Sequence, residues 1–219
     1  MIPRLVHQVY GIFDDGIPLE DIKEYKDAVD QTELYCFTNN IKYKMWSKKL
    51  CEELLVDKYP EYIDLYNEFR YDIQRADFIR YIIIYEYGGI YIDCDMFIKN
   101  NNQPYDLFEK DYFFVINRKG RIYNAVYGSY KNNNIFKLIL NEIEISIIKQ
   151  EDKIYDKWKG RLVFHTTGEH MLKRVLKNDI NLLTDIIDTK GKDIKKKDNT
   201  KYFEDYNCSL WYEKMLTEI

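Results

Sequence analysis

The sequence predicts an α/β fold, one layered domain over residues 1–219, and three observations carry that prediction. Short apolar runs bounded by turn residues alternate with helix-length segments of 3.6-residue periodicity, the pattern of a sheet with helices packed on it. A strongly apolar helical stretch at 73–87 runs straight into Gly88-Gly89, which stop a helix, and then into Ile90-Tyr91-Ile92, which reads as a buried strand. The 219 residues suffice to bury one substantial core, and no internal repeat or long linker divides them.

Taken in order, a strand is expected over 2–10, a loop over 11–18 with Asp15-Gly16 as its turn signal, and a polar helix over 19–29. A second strand is read over 33–37, ending at Thr38-Asn39-Asn40. Helices follow over 47–58 and 62–69, separated at Pro60, which cannot sit in a helix interior. The helix over 73–87 carries Phe78, Ile79, Ile82, Ile83 and Tyr85 as a broad apolar stripe, with Gly88 as a left-handed stop. A strand over 90–93 precedes an asparagine-rich loop around 100–102. Beyond it come a strand over 112–117, a helix over 135–148, a strand over 161–165 and a helix over 170–176. The tail over 202–211 is aromatic and irregular.

Composition excludes several function classes. A net charge of −4 argues against general affinity for nucleic acid, whose phosphates demand a basic face. The basic run at 190–197 is short and interrupted by Asp193; it reads as a solvated loop, with peripheral contact to an anionic membrane surface as the alternative. Cys36, Cys51, Cys94 and Cys208 are scattered without a C-x-x-C pair, which fits reduced thiols better than a disulfide framework. The opening Met1-Ile2-Pro3-Arg4 lacks the apolar core of a signal peptide, and the longest apolar run, 81–85, is far too short to cross a bilayer. A soluble or peripherally attached protein without a transmembrane segment is expected. The 21 tyrosines follow from an AT-rich genome as readily as from carbohydrate stacking.

The chemistry concentrates around the double glycine. Side chains alternate along a strand, so Tyr91, Asp93 and Asp95 share one face while Ile90, Ile92 and Cys94 take the other. Two carboxylates at the carboxyl end of a strand suit a hard cation such as Mg²⁺ or Mn²⁺, which can in turn hold a diphosphate. On the preceding helix, Asp77 and Arg80 stand three apart and share a face, either as a supporting ion pair or as part of the same crevice. Among the histidines, His7 reads as a satisfied core residue, and His165 ends a strand beside Thr166-Thr167-Gly168. No Ser-His-Asp order, P-loop or G-x-G-x-x-G is visible.

Arg75-Ala76-Asp77-Phe78-Ile79-Arg80-Tyr81 followed by Tyr87-Gly88-Gly89-Ile90-Tyr91-Ile92-Asp93-Cys94-Asp95 resembles the sugar-binding D-x-D region of glycosyltransferase family 32, and is also similar to the catalytic domain of the clostridial glucosylating toxins. The opening Ile2-Pro3-Arg4-Leu5-Val6-His7-Gln8-Val9-Tyr10 resembles that family's first strand. The resemblance implies a GT-A type nucleotide-sugar-binding fold with a central mixed, mostly parallel sheet flanked by helices. It further implies a Mn²⁺ (or Mg²⁺) cofactor, and transfer of a hexose with retention of configuration. The donor implied is a UDP-hexose, with GDP-mannose as the competitor. The acceptor hydroxyl would belong to a glycan, a lipid-linked molecule or a protein, in surface glycan synthesis by a bacterial or viral cytoplasmic enzyme.

Carried over by position, the resemblance gives Asp77 and Arg80 to the donor sugar and phosphate-proximal groups, and Tyr91 to the nucleotide or diphosphate. Asp93 would reach the ribose or a metal-bound water, and Asp95 would ligate the metal. Val9 and Cys94 would line the nucleotide-sugar site, and Tyr10 stands where the family stacks a tryptophan on the base. The segment Asn207-Cys208-Ser209-Leu210-Trp211 resembles the family's closing cap. Ser209 and Asn207 would complete the metal site with Asp93 and Asp95, Asp205 rivals Asn207, and Trp211 would bond the leaving phosphate. The Thr166-Thr167-Gly168 loop, which in relatives reads Thr-Gly-Pro, has Glu169 in place of proline, and the resemblance makes it an acceptor or sugar contact. Two other classes stand beside the transferase. One is a non-catalytic nucleotide-sugar or glycan-binding subunit of the same fold; the other is a metal-dependent phosphohydrolase, which would want more carboxylates or histidines.

Overall fold

Six strands form one mixed sheet, with α-helices on both faces. The computed structural model describes residues 1–12, 16–98, 105–116, 122–149, 159–177, 182–184, 187–189 and 203–206. In chain order the elements are β1 (Leu5–Tyr10), α1 (Lys23–Thr38), β2 (Lys42–Ser47), α2 (Lys48–Lys58), α3 (Ile63–Glu68), α4 (Asp72–Tyr87), β3 (Gly89–Ile92) and β4 (Met96–Ile98). Then come α5 (Tyr105–Phe108), β5 (Tyr112–Ile116), β6 (Ile122–Ser129), α6 (Asn134–Ile148), α7 (Lys159–Thr166), α8 (Glu169–Val175), β7 (Leu182–Thr184), β8 (Ile187–Thr189) and β9 (Phe203–Asp205).

The strand order is β2-β1-β3-β6-β5-β7, and a small second sheet runs β4-β9-β8. In the large sheet β1 is parallel to both β2 and β3, β7 is parallel to β5, and β6 alone runs against its neighbours. The sheet is therefore mixed and mostly parallel. From β1 the chain builds β2 on one side and then crosses through α2–α4 to build β3 on the other. Such a reversal opens a crevice beyond the carboxyl ends of β1 and β3, where open α/β sheets take ligands.

Strand alternation divides the core between the two faces. Tyr91, Phe114 and Tyr127 pack with α4 and α6 residues on one side; Val6, Ile90, Ile92, Phe113, Val115 and Val126 pack with Tyr35 and Cys36 of α1 on the other. α4 is the central helix: twelve of its sixteen residues are buried, so the expected stripe widens to nearly the whole circumference.

Gly88 and Gly89 join α4 to β3 with φ of 64° and 101°. The positive φ at Gly88 is as expected, but its ψ of −167° takes it out of the left-handed helical well into an extended form open to glycine. A Cβ on Gly89 would stand 2.5 Å from the Leu5 carbonyl oxygen, so glycine is what lets β3 lie against β1.

Three expectations are overturned. The stretch 33–37 is the last part of α1, not a strand. Tyr25, Ala28, Val29, Thr32, Tyr35 and Cys36 are buried at helical spacing, whereas Leu34 and Phe37 are exposed. The second strand is instead β2, a lysine-bearing edge strand whose charge disguised it. The stretch 161–165 is helix α7, with Thr166 Oγ1 bonded to the Leu162 carbonyl at 2.8 Å; a short apolar run does not separate helix from strand by periodicity. The helix expected over 19–29 begins as a 3-10 turn at Leu19–Asp21 and resumes as α1. β4, α5, β6, β7 and β8 had no counterpart in the sequence reading, and β9 lies in the tail that was read as irregular.

Candidate active site

The D-x-D turn leaves β3 at the mouth of that crevice. Asp93 is fixed through its backbone: its N–H donates to the Ala125 carbonyl at 2.9 Å, and its own carbonyl accepts from Gln8 Nε2 at 3.1 Å and from the Met96 N–H at 3.0 Å. The Asp95 carbonyl accepts from the Tyr206 N–H at 2.9 Å, directly after β9. Cys94 Sγ donates to the Val9 carbonyl at 3.2 Å, pinning the turn to the end of β1.

Arg80 reaches from α4 to Asp77, the partner its spacing suggested, and also to Asp93. Its Nη1 donates to Asp93 Oδ1 at 2.6 Å and its Nη2 to Asp77 Oδ1; the guanidinium lies 5.2 Å from the Tyr91 ring centre. The Tyr91 hydroxyl also donates to Asp93 Oδ1, at 2.7 Å. Arg80 and Asp77 side chains are 6% and 3% exposed, against 29% for Asp93, so the pair is buried and only Asp93 opens toward solvent. Burial opposes the arginine's charge, yet Asp93 beside it holds its pKa well above the usual value; Arg80 is a permanent buried cation. Among the described residues, its Nε is buried without a hydrogen-bond partner.

These groups line one cavity of about 310 Å³, near the lower end of ligand pockets. Val9, Asp77, Arg80, Tyr91, Asp93, Cys94 and Asp95, all expected at the site, face it together. Tyr10 does not line it: its hydroxyl bonds the Ile17 carbonyl at 2.5 Å, while Tyr25, edge-on to Tyr10 at 6.2 Å, takes a place on the wall. Asn207, Ser209 and Trp211 lie outside the described residues, as does the basic run at 190–197, and Asp205 is described only as a β9 residue paired with Met96. His7 is buried and bonded within the core, and His165 lies in α7, packed edge-on against His170 at 4.6 Å rather than on the cavity wall.

Two contributors come from beyond the motif. Asn124 of β6 donates to Asp77 Oδ1 at 3.1 Å and stands 2.5 Å from the Tyr81 hydroxyl. Thr167, between α7 and α8, donates to Asp77 Oδ2 at 2.8 Å. The Thr166-Thr167-Gly168 segment was singled out in the sequence; nothing near Asn124 announced it, because only β3–β6 pairing brings it here.

The donor set suits a hard cation of the kind held by one or two carboxylates and a substrate's phosphates, since Asp93 and Asp95 supply oxygens at the rim of the cavity. Among the described residues no third His, Cys, Asp or Glu joins them in a ready-made cluster. Also among the described residues, no helix is long and apolar enough to cross a membrane.

A mostly parallel sheet with a charged cavity at its crossover, resembling solved glycosyltransferases, defines the fold as GT-A-like. The chain superposes on the PaToxG glycosyltransferase with a TM-score of 0.52 at 16% identity, over 82% of this chain and 69% of that one. It superposes on a glycosyltransferase involved in glycosylation of the major capsid of PBCV-1 with a TM-score of 0.50 at 12% identity, over 96% of both. Residues 18–114 match the family model described as the glycosyltransferase sugar-binding region containing the DXD motif. The uncharacterized glycosyltransferase L373 of Acanthamoeba polyphaga mimivirus is 28% identical over 84% of this chain and 71% of its own length. The mannosyl phosphorylinositol ceramide synthases CSH1 and SUR1 of Saccharomyces cerevisiae are 28% and 36% identical over 66% and 43% of this chain, which spans only 36% and 23% of their lengths.

Proposed function

We propose that the cavity binds a nucleoside diphosphate hexose and transfers the hexose, with retention, to a hydroxyl of a glycan or lipid acceptor. The observation that carries this is the buried Arg80 cation held between Asp77 and Asp93 with Asp95 on the same rim. Both yeast relatives described above are named for mannosyl transfer, which moves GDP-mannose ahead of the UDP-hexoses as the donor.

Asp93 and Asp95 would hold Mn²⁺ or Mg²⁺, which when bound neutralises the diphosphate and stabilises charge growing on it as the glycosidic bond breaks. Arg80 contributes a fixed positive charge without reorganisation, because Asp77, Asp93 and the Tyr91 ring already set its position. Asp77 orients Arg80 rather than attacking: its oxygens are occupied by Arg80, Asn124 and Thr167. With that carboxylate committed, same-face attack by the acceptor hydroxyl on the donor's anomeric carbon is favoured over a covalent glycosyl-enzyme. Ile73, Ala76, Ile122 and Val163 supply the apolar part of the cavity wall.

The test is nucleotide release from GDP-mannose, UDP-glucose and UDP-galactose in the presence of Mn²⁺. Release that Asp95→Asn abolishes supports the transferase. Nucleotide-sugar binding without release or transfer would replace it with a binding subunit, and hydrolysis of simple phosphoesters would replace it with a phosphohydrolase.

A further inference from the structure

Asp77 has little capacity left for a substrate. A carboxylate offers about four acceptor positions. Oδ1 of Asp77 accepts from Arg80 Nη2 and Asn124 Nδ2, Oδ2 accepts from Thr167 Oγ1, and the side chain is 3% exposed. Another carboxylate lines the same cavity. Glu169, the first residue of α8, is brought to the wall by the corner that Thr167 ties to Asp77. That corner is tight: a Cβ on Gly168 would meet Phe164 Cα at 3.1 Å and the Val163 carbonyl oxygen at 3.2 Å.

The Glu169 side chain is 21% exposed, and its one ion pair among the described residues is with His170 Nε2 at 3.5 Å. Strong charge-assisted bonds run about 2.7–2.9 Å, so Glu169 keeps most of its accepting capacity. Arg80 on the same cavity keeps a buried Nε–H that no described residue accepts. A single ligand that satisfies both needs an acceptor oxygen for Arg80 and hydroxyl donors for Glu169. A nucleoside diphosphate hexose has phosphate oxygens for the first and sugar hydroxyls for the second.

We infer that the Glu169 carboxylate accepts hydrogen bonds from hydroxyls of the donor hexose and so sets which hexose the cavity takes. This rests on the nucleotide-sugar reading above. Glu169 acts on the sugar and not on the nucleotide, which separates its effect from that of Arg80, Asp93 and Asp95.

The test compares wild type, Glu169→Gln and Glu169→Asp in the nucleotide-release assay with GDP-mannose and UDP-glucose, alongside inhibition by free GDP and UDP. The expected result is a KM for the preferred sugar nucleotide raised about ten-fold in Glu169→Gln, the loss of one charged hydrogen bond, with the inhibition constant of the parent nucleotide within about two-fold of wild type. Glu169→Asp should fall between them. An unchanged KM in Glu169→Gln overturns the assignment alone, and so does an equal rise in KM and in the nucleotide's inhibition constant. Wild-type protein that releases no nucleotide from any donor overturns the donor-site reading, and this assignment with it.

Discussion

His7 shows how one side chain fixes a protonation state. Trp46 Nε1 can only donate, and it lies 3.0 Å from His7 Nδ1, so Nδ1 accepts. Nε2 then carries the proton and donates to the Gly88 carbonyl at 2.9 Å, tying β1 to the turn before β3. Burial pushes the His7 pKa down from 6.5 to about 4. The unfolded chain therefore binds a proton between pH 6.5 and 4 that the folded chain refuses, so this contribution is complete above pH 6.5 and is lost as pH falls toward 4. Urea unfolding at pH 7 and pH 4 should show about 3 kcal/mol of pH-dependent loss attributable to this residue, and His7→Gln should flatten that part of the curve. Asp77 makes a complementary prediction. Asp77→Ala leaves Arg80 buried with one partner fewer and strands Asn124 and Thr167, so it should cost about 3–5 kcal/mol and lower Tm by roughly 10 °C as well as abolishing turnover. Activity lost at an unchanged melting temperature would remove Asp77 from its supporting role.

At the scale of elements, two glycines with similar backbone angles should respond differently to the same change. Gly89, at φ 101°, has Leu5 oxygen and His7 Nε2 at 2.5 and 3.0 Å from where a Cβ would sit; Gly16, at φ 86°, has nothing within 4 Å. Gly89→Ala should cost more than about 3 kcal/mol through clash plus strain, and Gly16→Ala about 1 kcal/mol through strain alone. Equal destabilisation in denaturant melts would show that β1 and β3 do not approach this closely. The same junction was the most legible part of the sequence, because a long apolar helix, paired glycines and a short apolar strand are each local signals. The Asp77, Arg80, Tyr91, Asp93 and Asp95 set could be read there for that reason. Asn124 could not, since its place depends on antiparallel pairing of β6 with β3 across more than thirty residues. α1 and α7 were misread where exposed or short apolar runs mimic strands, and β2 was hidden by its lysines.

For the whole molecule, a ligand that binds only the folded state adds stability by mass action. A nucleoside diphosphate with Mn²⁺ at about 100 times its Kd should add about 2.7 kcal/mol and raise Tm by roughly 5–10 °C. Chelation, or Asp95→Asn, should remove the metal-dependent share in a thermal-shift experiment; a rise that survives both would take the cation out of the site. β9 pairs antiparallel with β4 and parallel with β8, and the Tyr206 N–H bonds the Asp95 carbonyl immediately afterwards. The polypeptide is thereby moored beside the D-x-D turn by two strand pairings. Fraying of β9 from β4 would therefore release the Asp95 carbonyl as well, so the integrity of the small sheet and the geometry of the D-x-D turn stand or fall together.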